Sequence, residues 1–160
     1  MTKKLFKIMT ITYIVLLGAV FGASIFAGAV VAPTIFHSET FFGGEIITNF
    51  QEGLLMTSNF DKLGSFVTIM VFFALFYEAT KWKSFESDRY TLLALFFFMT
   101  SGLLFSGFYI PDIISMQLQG EAVTQSEQFK NVHFASEIDF KLFAFSALAL
   151  LVLNLKKALR

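Results

Sequence analysis

The sequence predicts an all-α fold, an integral membrane four-helix bundle made of one domain (1–160) with short amphipathic helices in its outward loops. Of the 160 residues, 56% are hydrophobic and 15% are charged, which is more apolar surface than a soluble domain of this size hides. The apolar residues also form four runs that, with their flanks, reach the roughly 20 helical residues needed to cross a bilayer core. We expect spans at about 8–36, 63–80, 90–110 and 138–157.

The first span is a run of uncharged residues from Ile8 to Phe36. Three lysines precede it, as in a secretory leader. The run is, however, about twice the length of a leader core, and Pro33 follows the best small-residue cleavage site. We therefore expect a retained membrane anchor.

A face of small residues marks the same span. Gly18 and Gly22 form a GxxxG pair, with alanines at similar spacing. Small residues let a second helix approach closely, and in lipid the gain is van der Waals contact. We expect this face to be the bundle seam, packed against the small residues of the third span, which include Gly102 and Ser106. The alternative partner is a second copy of the chain.

The loop after the first span carries apolar residues at helical spacing among polar ones. They are Ile46, Ile47, Phe50, Leu54 and Leu55. This pattern predicts a short amphipathic helix that lies at the membrane interface, preceded by a turn at Gly43 and Gly44.

The second span reaches sufficient length only if it includes Glu78 or draws in its flanks. We expect Glu78 at the inner membrane boundary, paired with Lys81 or Lys83 at the surface. The alternative is a buried polar role, because ionisable residues are rare inside spans.

Basic residues predict the orientation. The side with the two termini, the 81–89 turn and Glu78 holds nine of the twelve Lys and Arg residues and three acids, whereas the other side holds three bases and nine acids. By the positive-inside rule both termini are cytoplasmic and both long loops face outward. The expected location is a bacterial inner membrane.

The two histidines, His37 and His133, fall at the outward end in this topology. His133 and Glu137 lie one helical turn apart, a spacing that suits a divalent first-row metal, and Asp139 is near. The candidate metal ligands are therefore His133, Glu137, His37 and Asp139, with a haem held by the two histidines as the other candidate cofactor. In the alternative, His133 and Glu137 are a structural pair and His37 is an interfacial residue.

Two motifs resemble the transmembrane-protein-205-like family of four-helix membrane proteins of unknown function. Residues 31–36 (VAPTIF) resemble its APxxF signature, and residues 129–136 (FKNVHFAS) resemble its F..LH..S run. His37 stands where the family usually has a basic residue, and Val132 where it has Leu. The resemblance implies a membrane location and a fold but no settled activity, although a vertebrate relative is linked with the handling of metal-based drugs.

These residues support two classes of function. The first is a cation- or metal-binding or transport module with an outward His/carboxylate site. The alternative is an accessory or assembly subunit, in which the chain packs into a larger membrane complex or a homo-oligomer. We do not expect an enzyme, because the sequence has no evident nucleophile–base pair or phosphate-binding loop. A formal net charge of +0 argues against nucleic acid as a partner.

Overall fold

The computed structural model describes residues 2–44, 46–83 and 88–159, and these residues form helices and no strands. Residues 84–87 of the predicted 81–89 turn lie outside the described residues. Four helical rods are long and apolar enough to cross a membrane: Lys3–Phe36, Asn49–Lys83, Arg89–Leu118 and Glu127–Ala158. The predicted all-α fold is confirmed, and the four apolar helices fit an integral membrane protein in contact with a lipid bilayer.

In the described part of the chain, ten helical elements make up the rods and their connections. The first rod contains α1 (Lys3–Phe26), a π-helical turn (Ala27–Val31) and α2 (Ala32–Phe36). A short α3 (Glu39–Phe42) then leads to the long α4 (Asn49–Lys83). The third rod contains α5 (Arg89–Leu104), a second π-helical turn (Phe105–Tyr109) and α6 (Ile110–Leu118). A short α7 (Glu121–Thr124) leads to α8 (Glu127–Ala158).

Both π-helical turns stand just before a proline. Proline has no backbone N–H and its ring meets the carbonyl four residues earlier, so a helix must widen or bend to continue through it. Here the N–H of Ala32 reaches back five residues to Ala27, and the N–H of Ile110 reaches back to Phe105. The wider turns let the first and third rods continue past Pro33 and Pro111.

The rods extend further than the predicted spans. The third continues through Pro111 to Leu118, and the last begins at Glu127, where the Ser126 hydroxyl accepts a hydrogen bond from the N–H of Phe129. The predicted amphipathic helix at 46–55 is not separate, since residues from Asn49 onward form the first turns of α4. The predicted turn is present at Gly43, whose positive φ of 71° ends α3.

The core runs along the bundle axis and is built from all four rods. Phe98 of α5 stacks on Phe143 of α8 with ring centroids 4.8 Å apart, and Tyr13 of α1 packs against Tyr77 of α4 at 4.2 Å. Each rod thus buries one stripe against its neighbours and leaves large apolar side chains on its other faces, as a lipid-facing bundle requires.

The predicted seam on the first rod is wrong for packing within the chain. The buried stripe of α1 runs through Tyr13, Leu17, Val20 and Ser24. A Cβ atom placed on Gly18 or Gly22 would meet nothing within 4 Å. Larger side chains fill the interhelical space, so the GxxxG face points away from the bundle. Packing of this face against a second copy stays a prediction.

Gly102 and Ser106 of the third rod do face the interior, and the atoms nearest to Gly102 belong to α4 and α8 and not to α1. A Cβ on Gly102 would lie 2.6 Å from Val71 Cγ2, 3.2 Å from Val67 Cγ1 and 3.1 Å from Phe143 Cε2. A Cβ on Gly64 of α4 would lie 3.4 Å from the Ser106 Cβ. The absence of a side chain at Gly102 therefore lets the third rod pack closely against α4.

Candidate functional site

A cavity of about 910 Å³ opens at the end of the bundle away from the two termini, and we name it the distal cavity. Residues of α2, α4, α6 and α8 line it, with one π-helical residue from each of the first and third rods. Gln117 of α6 donates a hydrogen bond of 2.9 Å to Thr57 of α4 across one wall. The extensions of α4, α6 and α8 beyond the predicted spans therefore form a large part of the cavity wall.

Three phenylalanines form its floor. The ring centroid of Phe105 lies 4.7 Å from that of Phe140, and Phe60 lies 5.7 Å and 5.1 Å from the two. These rings come from the second π-helical turn, α8 and α4, so the floor ties three rods together. Aromatic rings at these separations pack edge to face or tilted and bury a large apolar area.

Titratable residues of α8 line the wall above this floor at helical spacing. They include Lys130, His133, Glu137 and Lys141. Glu137 has two partners, because its Oε1 lies 3.4 Å from His133 Nδ1 and its Oε2 lies 3.4 Å from Lys141 Nζ. His133 and Glu137 thus lie next to each other, and the Glu137 carboxylate also forms an ion pair with Lys141.

His37 lies on another wall of the same cavity, where α2 ends. Its side chain is 67% exposed, and its Nδ1 lies 3.6 Å from Glu39 Oε1. The next residue, Ser38, is buried and donates a 2.6 Å hydrogen bond to Glu52 of α4, which holds this turn against the bundle. The two histidines therefore share one cavity but pair with different glutamates.

The fourth predicted ligand, Asp139, lies elsewhere. It is buried against Ser101 of α5 and does not line the distal cavity. Within the described ranges, no group of three or more His, Asp or Glu side chains is placed to hold a metal ion. The four predicted metal ligands are thus one His/Glu pair, a second histidine on the same cavity and a separate buried carboxylate.

A second cluster of polar side chains is buried near the termini, and we name Tyr13, Glu78, Lys81 and Asn154 the proximal cluster. Asn154 Nδ2 donates to Glu78 Oε1 at 2.8 Å, and Lys81 Nζ donates to Asn154 Oδ1 at 2.6 Å. Lys81 Nζ also lies 3.4 Å from Glu78 Oε2. Glu78 and Lys81 pair as predicted, but both are buried, so the expected surface location is wrong.

Polar contacts surround this cluster. The Tyr77 hydroxyl donates to Thr10 at 2.9 Å, joining α4 to α1. Lys157 of α8 contacts Thr91 and Asp88 at the start of α5. Burial alone would raise the pKa of the Asp88 carboxyl, but hydrogen bonds from Lys157 and Thr91 outweigh this and hold its pKa below the usual range.

Sequence reasoning did not select Tyr13 or Asn154. The available indication was a polar side chain inside each apolar run, since such groups in a span usually face the protein interior and find a partner. Asn154 stands in the uncharged stretch before Lys156, and Tyr13 stands in the first span. Their partners could not be read because they depend on which faces of α1, α4 and α8 meet.

Comparison with known proteins gives one family. The family described as Domain of unknown function (DUF4149) matches residues 15–122, which include most of the first three rods. No curated protein and no solved structure matches the chain.

Proposed function

The chain belongs to the family described as Domain of unknown function (DUF4149), and we propose that it binds an amphiphilic small molecule in the distal cavity. The observation that carries this proposal is an aromatic floor beneath a charged wall in a space of about 910 Å³. Ligand pockets typically measure about 300–1,000 Å³ and combine a mostly apolar lining with a few polar groups that orient the ligand.

The charged side chains that line the cavity indicate which charge the head group of this ligand carries. Lys130 and Lys141 carry positive charge, and Glu121 and Glu137 carry negative charge. A head with one net charge would meet two repelling groups here, whereas a zwitterionic head presents a matching charge to each sign. The apolar body of the ligand would then lie on the rings of the floor. We therefore propose a zwitterionic amphiphile.

The test uses three single-chain probes on protein held in lipid nanodiscs. Dodecylphosphocholine is zwitterionic, dodecanoate is anionic and dodecyltrimethylammonium is cationic. Below their micellar concentrations, we expect saturable binding by native mass spectrometry that is strongest for dodecylphosphocholine. Equal, unsaturable uptake of all three probes would show bilayer partitioning and contradict the proposal.

A matched pair of variants locates the binding. Phe140→Ala removes a ring of the floor and should weaken dodecylphosphocholine binding about tenfold or more, equivalent to about 1.4 kcal/mol. Phe145→Ala removes a ring from the same helix that is 69% exposed and remote from the floor, and it should leave binding unchanged. Equal losses in both variants would place the probe outside the cavity.

A cation is the second candidate ligand of this cavity. The His133–Glu137 pair, 3.4 Å apart, favours it, and His37 lines the same space. A divalent first-row metal would displace Lys141 from Glu137, and its binding would weaken toward acid pH as the imidazole protonates. We expect zinc binding by calorimetry to be lost in His133→Ala and reduced in Glu137→Gln. An absorption spectrum of the purified protein tests for haem at the two histidines.

Our proposal is binding and not catalysis. We also propose that the distal cavity faces outward from a bacterial inner membrane with both termini in the cytoplasm, on the distribution of basic residues. The motifs at 31–36 and 129–136 support a relationship to the transmembrane-protein-205-like proteins.

The alternative function is that of an accessory subunit of a larger membrane complex. The open GxxxG face at Gly18 and Gly22 favours this alternative.

A further inference from the structure

The two halves of the chain repeat the same order of elements. In each half a long helix, a π-helical turn, a helix with proline at its start, a four-residue helix and a long return helix follow one another. The π-helical turns begin at Ala27 and Phe105, the prolines are Pro33 and Pro111, and the return helices begin at residues 49 and 127. The π-helical turns, the prolines and the starts of the return helices each recur after 78 residues, and the four-residue helices recur after 82.

The buried positions repeat as well. In the ascending helices, the buried residues of α1 recur 78 residues later in α5: Tyr13, Leu17, Val20 and Ser24 correspond to Thr91, Leu95, Phe98 and Gly102. In the return helices, buried residues of α4 recur 76 residues later in α8: Gly64, Val67, Met70, Val71, Ala74 and Glu78 correspond to Phe140, Phe143, Ser146, Ala147, Leu150 and Asn154. Each half therefore presents an equivalent face to the other.

Glu78 and Asn154 occupy equivalent positions and are hydrogen-bonded to each other at 2.8 Å. Residues contact their own equivalents only where they lie close to a two-fold axis. The axis relates two hairpins of the same orientation, so it runs along the bundle and hence along the membrane normal. Parallel repeats of this kind occur in membrane transporters, whose binding sites lie at the interface between the repeats.

Three features lie in order along the interface between the halves. The distal cavity is at one end, with Phe60 from the first half and Phe105 and Phe140 from the second. Near the middle, the backbone of Gly102 comes so close to Val71 that even a methyl group would not fit. At the other end the proximal cluster closes the interface, because Asn154 in the second half donates a hydrogen bond to Glu78 and accepts one from Lys81 in the first.

Polar side chains close the interface at the proximal cluster, so this is the end at which water can enter and hydrate the separated groups. A buried ion pair gains from its mutual attraction about as much as it loses in hydration, so its exposure to water costs little. The Tyr13 hydroxyl is also buried in this cluster, so water entering there would hydrate a further polar group. Opening at this end is thus easier than separation of the apolar middle.

We propose that the two halves rock about the contact at Gly102, so that the interface opens alternately at the distal cavity and at the proximal cluster and carries the bound amphiphile across the membrane. This proposal rests on the proposed function, since the amphiphile is its cargo. The described conformation is the one open at the distal end, and the proximal cluster is the closed gate.

The chain contains no cysteine, which allows single-cysteine reporters without any background substitution. Leu150→Cys places a thiol on a fully buried position one turn from Asn154, and Val71→Cys places one at the Gly102 contact. A charged, water-soluble methanethiosulfonate reagent is applied to membrane vesicles from the face on which the termini lie. Labelling reports the fraction of time that each position is open to water.

We expect Leu150→Cys to label about tenfold faster than Val71→Cys, which corresponds to about 1.4 kcal/mol of easier opening. Asn154→Leu removes the bond between the halves and should raise the rate at Leu150→Cys several-fold while Val71→Cys stays protected. Equal, slow labelling of both reporters with and without Asn154→Leu would overturn the rocking motion.

A rise at both reporters would mean that Asn154→Leu has loosened the whole bundle, and the double variant Glu78→Gln with Lys81→Met, which leaves neither charge unpaired, then decides. It keeps an oxygen for Asn154 to donate to but removes the hydrogen bond from Lys81 to Asn154, so it should raise labelling at Leu150→Cys alone. No selective rise in that variant overturns the gate. Because labelling needs no ligand, dodecylphosphocholine binding without any opening would leave the proposed function intact and reject transport.

Discussion

Glu78 and Lys81 are an ion pair removed from water, and Asn154 supplies a hydrogen-bonding partner to each of them. The free energy of such a pair is a small difference between a large hydration loss and a large attraction. Removal of one member leaves the other charge buried with no counter-charge, which is far more unfavourable than removal of both. The pair therefore makes the fold sensitive to single substitutions at these positions.

We predict that Lys81→Met lowers the free energy of unfolding by about 3–5 kcal/mol, because it leaves the Glu78 carboxylate uncompensated. The double variant Lys81→Met with Glu78→Gln should recover most of this loss. Lys83→Met, at an exposed position of the same turn, is the control and should change stability by less than about 0.5 kcal/mol. Denaturant titration in detergent measures all three. A double variant no more stable than Lys81→Met would refute the buried pair.

Asp88 provides a pH-dependent contact outside the spans. It caps α5 and faces Lys157, and these contacts hold its folded pKa below the unfolded value of about 3.9. A depressed carboxyl pKa stabilises the fold above the unfolded pKa, and the stabilisation is lost as the pH falls toward the folded pKa.

Asp88→Asn keeps the cap but removes the charge. Relative to wild type it should be less stable by up to about 1 kcal/mol at neutral pH, and the difference should shrink as the pH falls below about 4. Thermal unfolding midpoints of both proteins across that range give the comparison. A difference that does not change with pH would show that the Asp88 charge contributes nothing.

At the scale of single helices, hydropathy predicts where the rods lie but not where they end. The uncharged run before Phe36 and the run that includes Phe98 are both within observed rods. The ends depend on local hydrogen bonds instead, such as the Ser126 cap that starts α8 well before its apolar run. Which face of a helix is buried also escapes prediction, because it depends on neighbours: Gly18 is open and Gly102 is tightly packed.

We predict opposite outcomes for two glycine substitutions. Gly102→Leu should destabilise the bundle by about 1–3 kcal/mol or more, because the space is already filled by Val71 and Phe143. Gly22→Leu should change the stability of the isolated chain little, because its surroundings are open. Thermal unfolding in dilute detergent solution measures both effects. A large loss in Gly22→Leu would instead show that a second copy packs on the GxxxG face.

At the scale of the whole molecule, equivalent positions in the two halves carry different residues. Glu78 corresponds to Asn154 and Tyr13 to Thr91, so residue identity hides a repeat that the burial pattern reveals. The repeat is visible in the sequence through the chain's two prolines, Pro33 and Pro111, which occupy equivalent positions in the two halves. The distal cavity was equally unpredictable, because its floor needs Phe60, Phe105 and Phe140 from three rods.

The orientation that we propose for the whole molecule rests on the distribution of its basic residues. We predict that Gln119→Cys, an exposed position near the distal cavity, is labelled by an impermeant thiol reagent on intact cells. Lys83→Cys, an exposed position at the opposite end, should be labelled only after the membrane is opened. Labelling of Lys83→Cys on intact cells would reverse the proposed topology.

Photolabelling is a direct test of whether an amphiphile occupies the distal cavity. A phosphocholine probe with a diazirine at the end of its acyl chain is irradiated with the protein in nanodiscs, and adducts are located by peptide mass spectrometry. If the amphiphile binds in the distal cavity, we expect saturable adducts on Phe60, Phe105 or Phe140 of the floor. Unlabelled dodecylphosphocholine should reduce these adducts by competition. Adducts spread evenly over exposed rings such as Phe72 and Phe145, without competition, would contradict it.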